Sequence, residues 1–281
     1  MGLFSKNRKD AKWVRPNDSI GAIVPYIMPR RCDAEVSCKV EIDITNLCDF
    51  VDKMNESGKL EYKMTYFHGL AACVGMTLYN RNCLNRFVKN KRLYERYDKS
   101  IGFVAKNKFA DKAEERLISL VLNPNDTGID LSKKMAIDIF KVKNNKDNNM
   151  DDVLSFFTAL PKFILSPIVK IVFFLDKHGI NLKALTEGDT NYVTVLLSNL
   201  GSIKTNSCYH HLNEYGTNSI VITVGTIKEE NGKKIVDLWA TLDERIADGF
   251  YFARSIKLIE KIAAKPELLK EKLSTKVDFD I

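Results

Sequence analysis

The stretch from 218 to 242 constrains the fold more than any other. NSIVITVGT (218–226) is so rich in β-branched residues that a buried strand is its natural state. Asn231-Gly232, following Glu230, supplies the two residues that accept positive φ in a tight hairpin, and 234–242 (KIVDLWATL) is the return strand. A long antiparallel pair with apolar residues in near-continuous runs must be covered, so the rest of the chain has to build around it.

The return strand feeds a turn and a helix. In 241–258 (TLDERIADGFYFARSIKL), Asp248 stands ahead of an apolar-periodic run through Phe250, Phe252, Ala253, Ile256, Ile259 and Ile262 and suits an N-cap. Asp243, Glu244 and Arg245 precede it at the strand end, where open α/β sheets expose reactive groups.

Taken in order, residues 1–29 predict an extended arm with a short edge strand in 20–28. Segment 34–44 alternates like a half-buried strand, with Asp43 or Thr45 capping the helix that follows. Segment 65–79 is apolar nearly all round and predicts a buried helix. A hairpin at 85–94, strands at 100–105 and 116–122, a helix from Thr127 to about Lys143, and a strand at 191–198 follow. The run 143–149 predicts an exposed loop. Segment 153–175 is nearly long enough to span a bilayer, but Pro161, Lys162, Pro167 and Lys170 interrupt it. Two short apolar helices, packed on the domain or lining an oligomer contact, are the expectation, with interfacial membrane contact the lesser alternative. The interleaving predicts an α+β fold, a large mixed sheet with helices on one side, as a single domain over 1–281 with an arm at 1–30 and a helical insertion at 143–189.

The net charge of +7 comes from 43 Lys and Arg against 36 Asp and Glu, spread over clusters at 6–12, 89–96 and 141–146. That distribution argues against a nucleic-acid partner and suits a small anionic ligand. Six cysteines form no CxxC pair, no Cys/His spacing suits a metal, and no apolar run follows the basic start; a cytoplasmic protein with reduced thiols is expected.

Three pieces stand in one order: a strand ending in Ser198-Asn199-Leu200-Gly201, a strand ending in Val224-Gly225, and Asp243-Glu244-Arg245-Ile246-Ala247-Asp248-Gly249. This order resembles the catalytic domain of the dihydrolipoamide acyltransferases of 2-oxo acid dehydrogenase complexes, relatives of chloramphenicol acetyltransferase. Their last motif, D-H-R-x-x-D-G, is matched at every fixed position but one. The resemblance spans about residues 25–270. It implies a chloramphenicol acetyltransferase-like two-layer sandwich, a homotrimer with the site in a channel between subunits, and acyl transfer to or from coenzyme A.

By the same resemblance, Ser198 donates a hydrogen bond to the tetrahedral oxyanion. Asp248 holds the loop, and Arg245, Asn199 and Gly249 are structural at the site. The position of Glu244 is histidine in the family, the base that deprotonates the thiol. A positioned base supplies about 10²–10⁴-fold in rate, and Glu (pKa ~4.3) is a weaker acceptor for a thiol proton (~8.5) than His (~6.5). A second source of imidazole is His210-His211, half of the chain's four histidines, where at most one of two adjacent extended residues faces a given site. His68 reads as a packed core histidine and His178 as a helix C-terminal residue. No segment of 1–281 reads as the family's lipoyl domain with its lysine hairpin, so no lipoyl group is expected on these residues. The readings are a CoA-dependent acyltransferase acting through Glu244 or a relocated histidine, or a non-catalytic trimeric binding or scaffold protein.

Overall fold

The structure is a computed structural model and describes residues 6–16, 18–106, 115–144, 160–180, 186 and 188–278. Its centre is the hairpin of β8 (Ile220–Glu230) and β9 (Lys233–Asp243), which turns at Asn231 and Gly232 with φ of 51° and 75°. Such positive φ at both central residues matches the strands' right-handed twist. β2 (Glu35–Asp43) pairs antiparallel with β9. β7 (Val195–Asn199) adds in parallel to β8, β5 (Ser100–Lys106) in parallel to β7, and β6 (Glu115–Val121) antiparallel to β5. The six-stranded sheet therefore runs β2-β9-β8-β7-β5-β6. A separate three-stranded sheet joins β1 (Ala11–Trp13) to β4 (Arg92–Arg96) and β3 (Arg86–Lys89), around Ala11, Phe87 and Tyr94.

One apolar cluster unites the large sheet with α2 (Thr45–Glu56), α3 (Tyr66–Asn80), α4 (Gly128–Lys143) and α6 (Gly249–Ala264). Alternate β8 residues Ile220, Ile222 and Val224 enter this cluster. α3 is its axis, buried along almost its whole length, and its small residues allow close approach. A Cβ on Gly69 would lie 3.0 Å from Leu47, and one on Gly75 would lie 3.1 Å from Leu131. The N-termini are fixed locally: Thr127 and Asp130 form a capping box on α4, and the Asp248 carboxylate accepts from Tyr251 N on α6.

Three expectations change. The arm carries β1 at Ala11–Trp13, and Ser19–Ile27, predicted as extended or an edge strand, is helix α1 with Pro25 inside it. Asp18 caps α1, its carboxylate accepting from Gly21 N. The strand predicted over 191–198 is shorter, because Thr190–Tyr192 forms a 3₁₀ turn tied to Asp189. The predicted break at Pro167 does not occur: α5 runs unbroken from Lys162 to Lys177. Pro161 sits at its N-cap, where no amide bond is lost, and Pro167 forgoes only the bond to the carbonyl of Phe163, a residue open to water. The first part of that apolar segment, 153–159, and the loop over 145–149 lie outside the described residues. All six cysteines are free thiols, and no helix among the described residues is long and apolar enough to cross a membrane.

Candidate active site

β7 ends in the first motif. Asn199 Oδ1 accepts from Ser202 N (3.2 Å) and from the Tyr66 hydroxyl (3.4 Å), while Ser202 Oγ donates to Asn199 O (2.7 Å). These bonds close the 3₁₀ turn Leu200–Ile203 and leave Lys204 left-handed at φ 57°. Gly201 is required for space: a Cβ there would overlap the Tyr66 hydroxyl and lie 2.5 Å from Gly225 O. Gly225 is required likewise, since its Cβ would lie 2.6 Å from Ser207 N. Both motif glycines thus allow the chain after β7 to lie directly on β8.

Ser198 is half-buried, and its hydroxyl has no hydrogen-bond partner among the described residues. It lines a cleft of about 990 Å³ walled by Phe67, Phe103, Ile137 and Phe140. Lys63 and Lys133 line the same cleft, Lys133 paired with Glu61 at 2.8 Å. His68 also lines it. At the third position of α3, His68 Nδ1 accepts from Thr65 N (3.1 Å), so Nε2 carries the proton. That Nε2 is buried without a partner, and burial pushes the imidazole down to about 4. His68 is therefore neutral and a donor. The sequence reading as a buried histidine missed that it walls the cleft; the only signal was Thr65 three residues ahead, in a box that uses His in place of the usual Glu.

The second motif is elsewhere in the chain. Ser198 is level with Thr223, and Thr223 with Trp239; Glu244 lies five residues beyond Trp239, roughly 17 Å further along and two strands across. Within one chain Ser198 and Glu244 do not meet. Asp243 is fully buried and takes Arg245 in a two-pronged ion pair, Nε to Oδ1 and Nη2 to Oδ2, both 2.7 Å. Arg245 Nη1 also donates to Met28 O (3.0 Å). Arg245 is thus committed to Asp243 and Met28, not to the Glu244 carboxylate. Glu244 is half-buried and donates its amide to Ala34 O (2.9 Å). Asp248 caps α6, and Gly249 has open space around a would-be Cβ.

The segment after β7 links the two ends. Thr226 N donates to Thr205 O (3.1 Å). Cys208 N donates to Thr223 Oγ1 (3.1 Å), which donates back to Cys208 O (2.6 Å). Further on, the Tyr209 hydroxyl bonds Glu35, and Leu212 N donates to Glu35 Oε1 (2.5 Å). Glu35 is the register partner of Asp243, so His210 and His211 stand at Glu244's end of the sheet and not beside Ser198. Both are exposed and stack at 5.2 Å. His210 Nδ1 lies 2.8 Å from His211 O. A carbonyl can only accept, so Nδ1 carries the proton and Nε2 presents its lone pair to solvent, the tautomer a general base needs. Arg31 pins the next turn through Asn213 O, Glu214 O and Gly216 O. Among the described residues no cluster of His, Cys, Asp and Glu could hold a metal ion.

The sheet order, the covering helices and the two motif-bearing strand ends define a chloramphenicol acetyltransferase-like α+β fold, the fold of acyltransferase catalytic domains. Solved structures agree. The chain is similar to a dihydrolipoamide acetyltransferase of Azotobacter vinelandii (TM-score 0.60, 13% identity, covering 92% of this chain and 94% of that one). It is similar also to a probable dihydrolipoamide acetyltransferase of Listeria monocytogenes (0.59, 14%, 90% and 95%) and to a chloramphenicol acetyltransferase (0.57, 10%, 90% and 99%). No family model and no curated protein matches the sequence.

Proposed function

We propose that this protein is a CoA-dependent acyltransferase that works as a trimer, with Ser198 of one subunit facing the His210–Glu244 end of the next and His210 as the base. The observation that carries the reading is the His210 tautomer, a lone pair on Nε2 held in place by the His211 carbonyl. Glu244 occupies the position where the resemblance implies histidine. The cleft suits an acyl-CoA: aromatic and aliphatic walls for the acyl and pantetheine portions, and lysines for phosphates. His210 Nε2 accepts the proton of the acceptor's nucleophile as that atom bonds to the acyl carbon of the acyl-CoA. Ser198 Oγ–H donates to the carbonyl oxygen as negative charge builds there. On collapse the carbonyl re-forms, the bond to the CoA sulfur breaks, and the imidazolium returns its proton to that sulfur, releasing the free thiol.

Acetyl-CoA turnover, measured as free thiol released, tests the roles. His210→Ala is expected to lower kcat about 10²–10⁴-fold with CoA affinity kept, and Ser198→Ala to cost about 10²-fold or more. Glu244→Gln is expected to change kcat little. A large loss in Glu244→Gln with His210→Ala unaffected assigns the base to Glu244. CoA binding without turnover in the native protein, with activity gained in Glu244→His, makes the native protein a non-catalytic binding member.

A further inference from the structure

We infer that α5 is a surface helix that lies on an anionic lipid bilayer. α5 is 16 residues long, about 24 Å. Leu165, Ile168, Val172 and Leu175 form its half-buried inner face. About a third of a turn away, Phe163, Pro167, Ile171 and Phe174 fall within about 80° of arc and form an apolar stripe turned to solvent. Phe163 is 78% exposed, Ile171 57% and Phe174 60%. Single exposed apolar residues need no explanation, but an aligned stripe with two phenylalanines does.

The charges beside the stripe choose among the surfaces that could cover it. Lys170 and Lys177 lie along one flank of the stripe, and Lys162 stands exposed at the helix start. The one acid on the helix, Asp176, is buried and spent: it accepts from Arg8 Nη2 (2.8 Å) and pairs with Lys89 (2.7 Å). α5 therefore presents only positive charge beside apolar bulk. A second copy meeting the same face would set lysines against lysines, whereas a bilayer containing acidic lipid offers hydrocarbon for the stripe and negative headgroups for the flank. The anchor is suited to bear a load. Arg8 also donates Nη1 to Asp176 O (2.6 Å), and Phe173 packs edge-on against Tyr215 at 5.4 Å. The helix is too short to cross, so it lies in the interface plane.

The test is flotation of the full chain with vesicles of phosphatidylcholine alone or with about one third phosphatidylserine, in parallel with sedimentation velocity. The expected result is binding to the phosphatidylserine vesicles that falls steeply as salt rises towards about 1 M. Replacing Lys162, Lys170 and Lys177 by Gln is expected to weaken binding about fivefold per lysine, on the order of a hundredfold in all. The double variant Phe163→Ser/Phe174→Ser is expected to abolish it; both side chains are exposed, and circular dichroism confirms that the fold is kept. No binding to phosphatidylserine vesicles overturns the inference, as does full binding in the double variant. A mass that drops in the double variant while the native chain ignores vesicles assigns the stripe to a second copy and also overturns it. Acyl transfer plays no part in these readouts.

Discussion

Lowering the pH from 7 to 4 should destabilise this protein through one imidazole, that of His68. Burial holds its folded pKa near 4, against 6.5 for the free side chain. The folded value is depressed, so as pH falls below 6.5 the unfolded chain takes the proton first and the neutral folded form loses ground. Stability contributed by His68 is full above the unfolded value and is lost as pH falls towards the folded one. Linkage gives a loss of about 1.4 kcal/mol at pH 5.5 and about 3 kcal/mol at pH 4. The variant His68→Asn isolates this term, because its amide oxygen can accept from Thr65 N without ionising. Urea unfolding at pH 7, 5.5 and 4 measures it. The native chain should lose about 3 kcal/mol more than the variant between pH 7 and 4. Parallel pH dependences in the two proteins would refute the assignment of a neutral, buried imidazole.

Gly201→Ala should lower stability by about 2 kcal/mol, read as a fall in Tm, because its Cβ overlaps the Tyr66 hydroxyl and crowds Gly225 O. Adding Tyr66→Phe removes one of the two clashes and should recover part of the loss; an unchanged Tm in Gly201→Ala would show the backbone free to move. Arg245→Lys should cost about 3 kcal/mol in urea unfolding, since an ammonium cannot serve both oxygens of buried Asp243 together with Met28 O. A cost below about 1 kcal/mol would mean that the pair is hydrated.

What was legible in the sequence follows from how local each cause is. Asn231-Gly232 announced a hairpin because only a few residues accept left-handed φ, and Thr127 and Asp248 announced helix starts because their side chains satisfy amides two or three residues on. The two motifs were legible as ordered residue identities, and the fold followed from them. The unbroken α5 was not legible, because Pro167 read as a breaker while the one carbonyl it leaves unpaired belongs to exposed Phe163; α1 was not legible, because a short apolar run in a polar arm shows no helical period. The lysines at the cleft look in sequence like any solvated lysine. The place of His210 and His211 was least legible of all: it depends on Cys208 docking on Thr223 and Leu212 on Glu35, contacts made across 15 and 177 residues.

The same contacts explain how the loop that begins at Asp243 can keep its shape with glutamate where the resemblance implies histidine. Asp243 is held by Arg245, Arg245 by Met28 O, and Asp248 by the first turn of α6. Glu244 contributes its backbone to this frame, through the bond to Ala34 O, and a backbone bond is indifferent to the side chain. The turn's conformation and the identity of the reactive group are therefore physically separable. Glu35 joins the frame to the 205–212 segment, since it pairs in register with Asp243 and accepts from Leu212 N. An imidazole two residues before Leu212 is carried to the end of the sheet where the Glu244 side chain emerges. Under the proposed function, a base moved from the strand end to the adjacent loop requires no new architecture, only a histidine whose Nδ1 donates to a carbonyl, as that of His210 does.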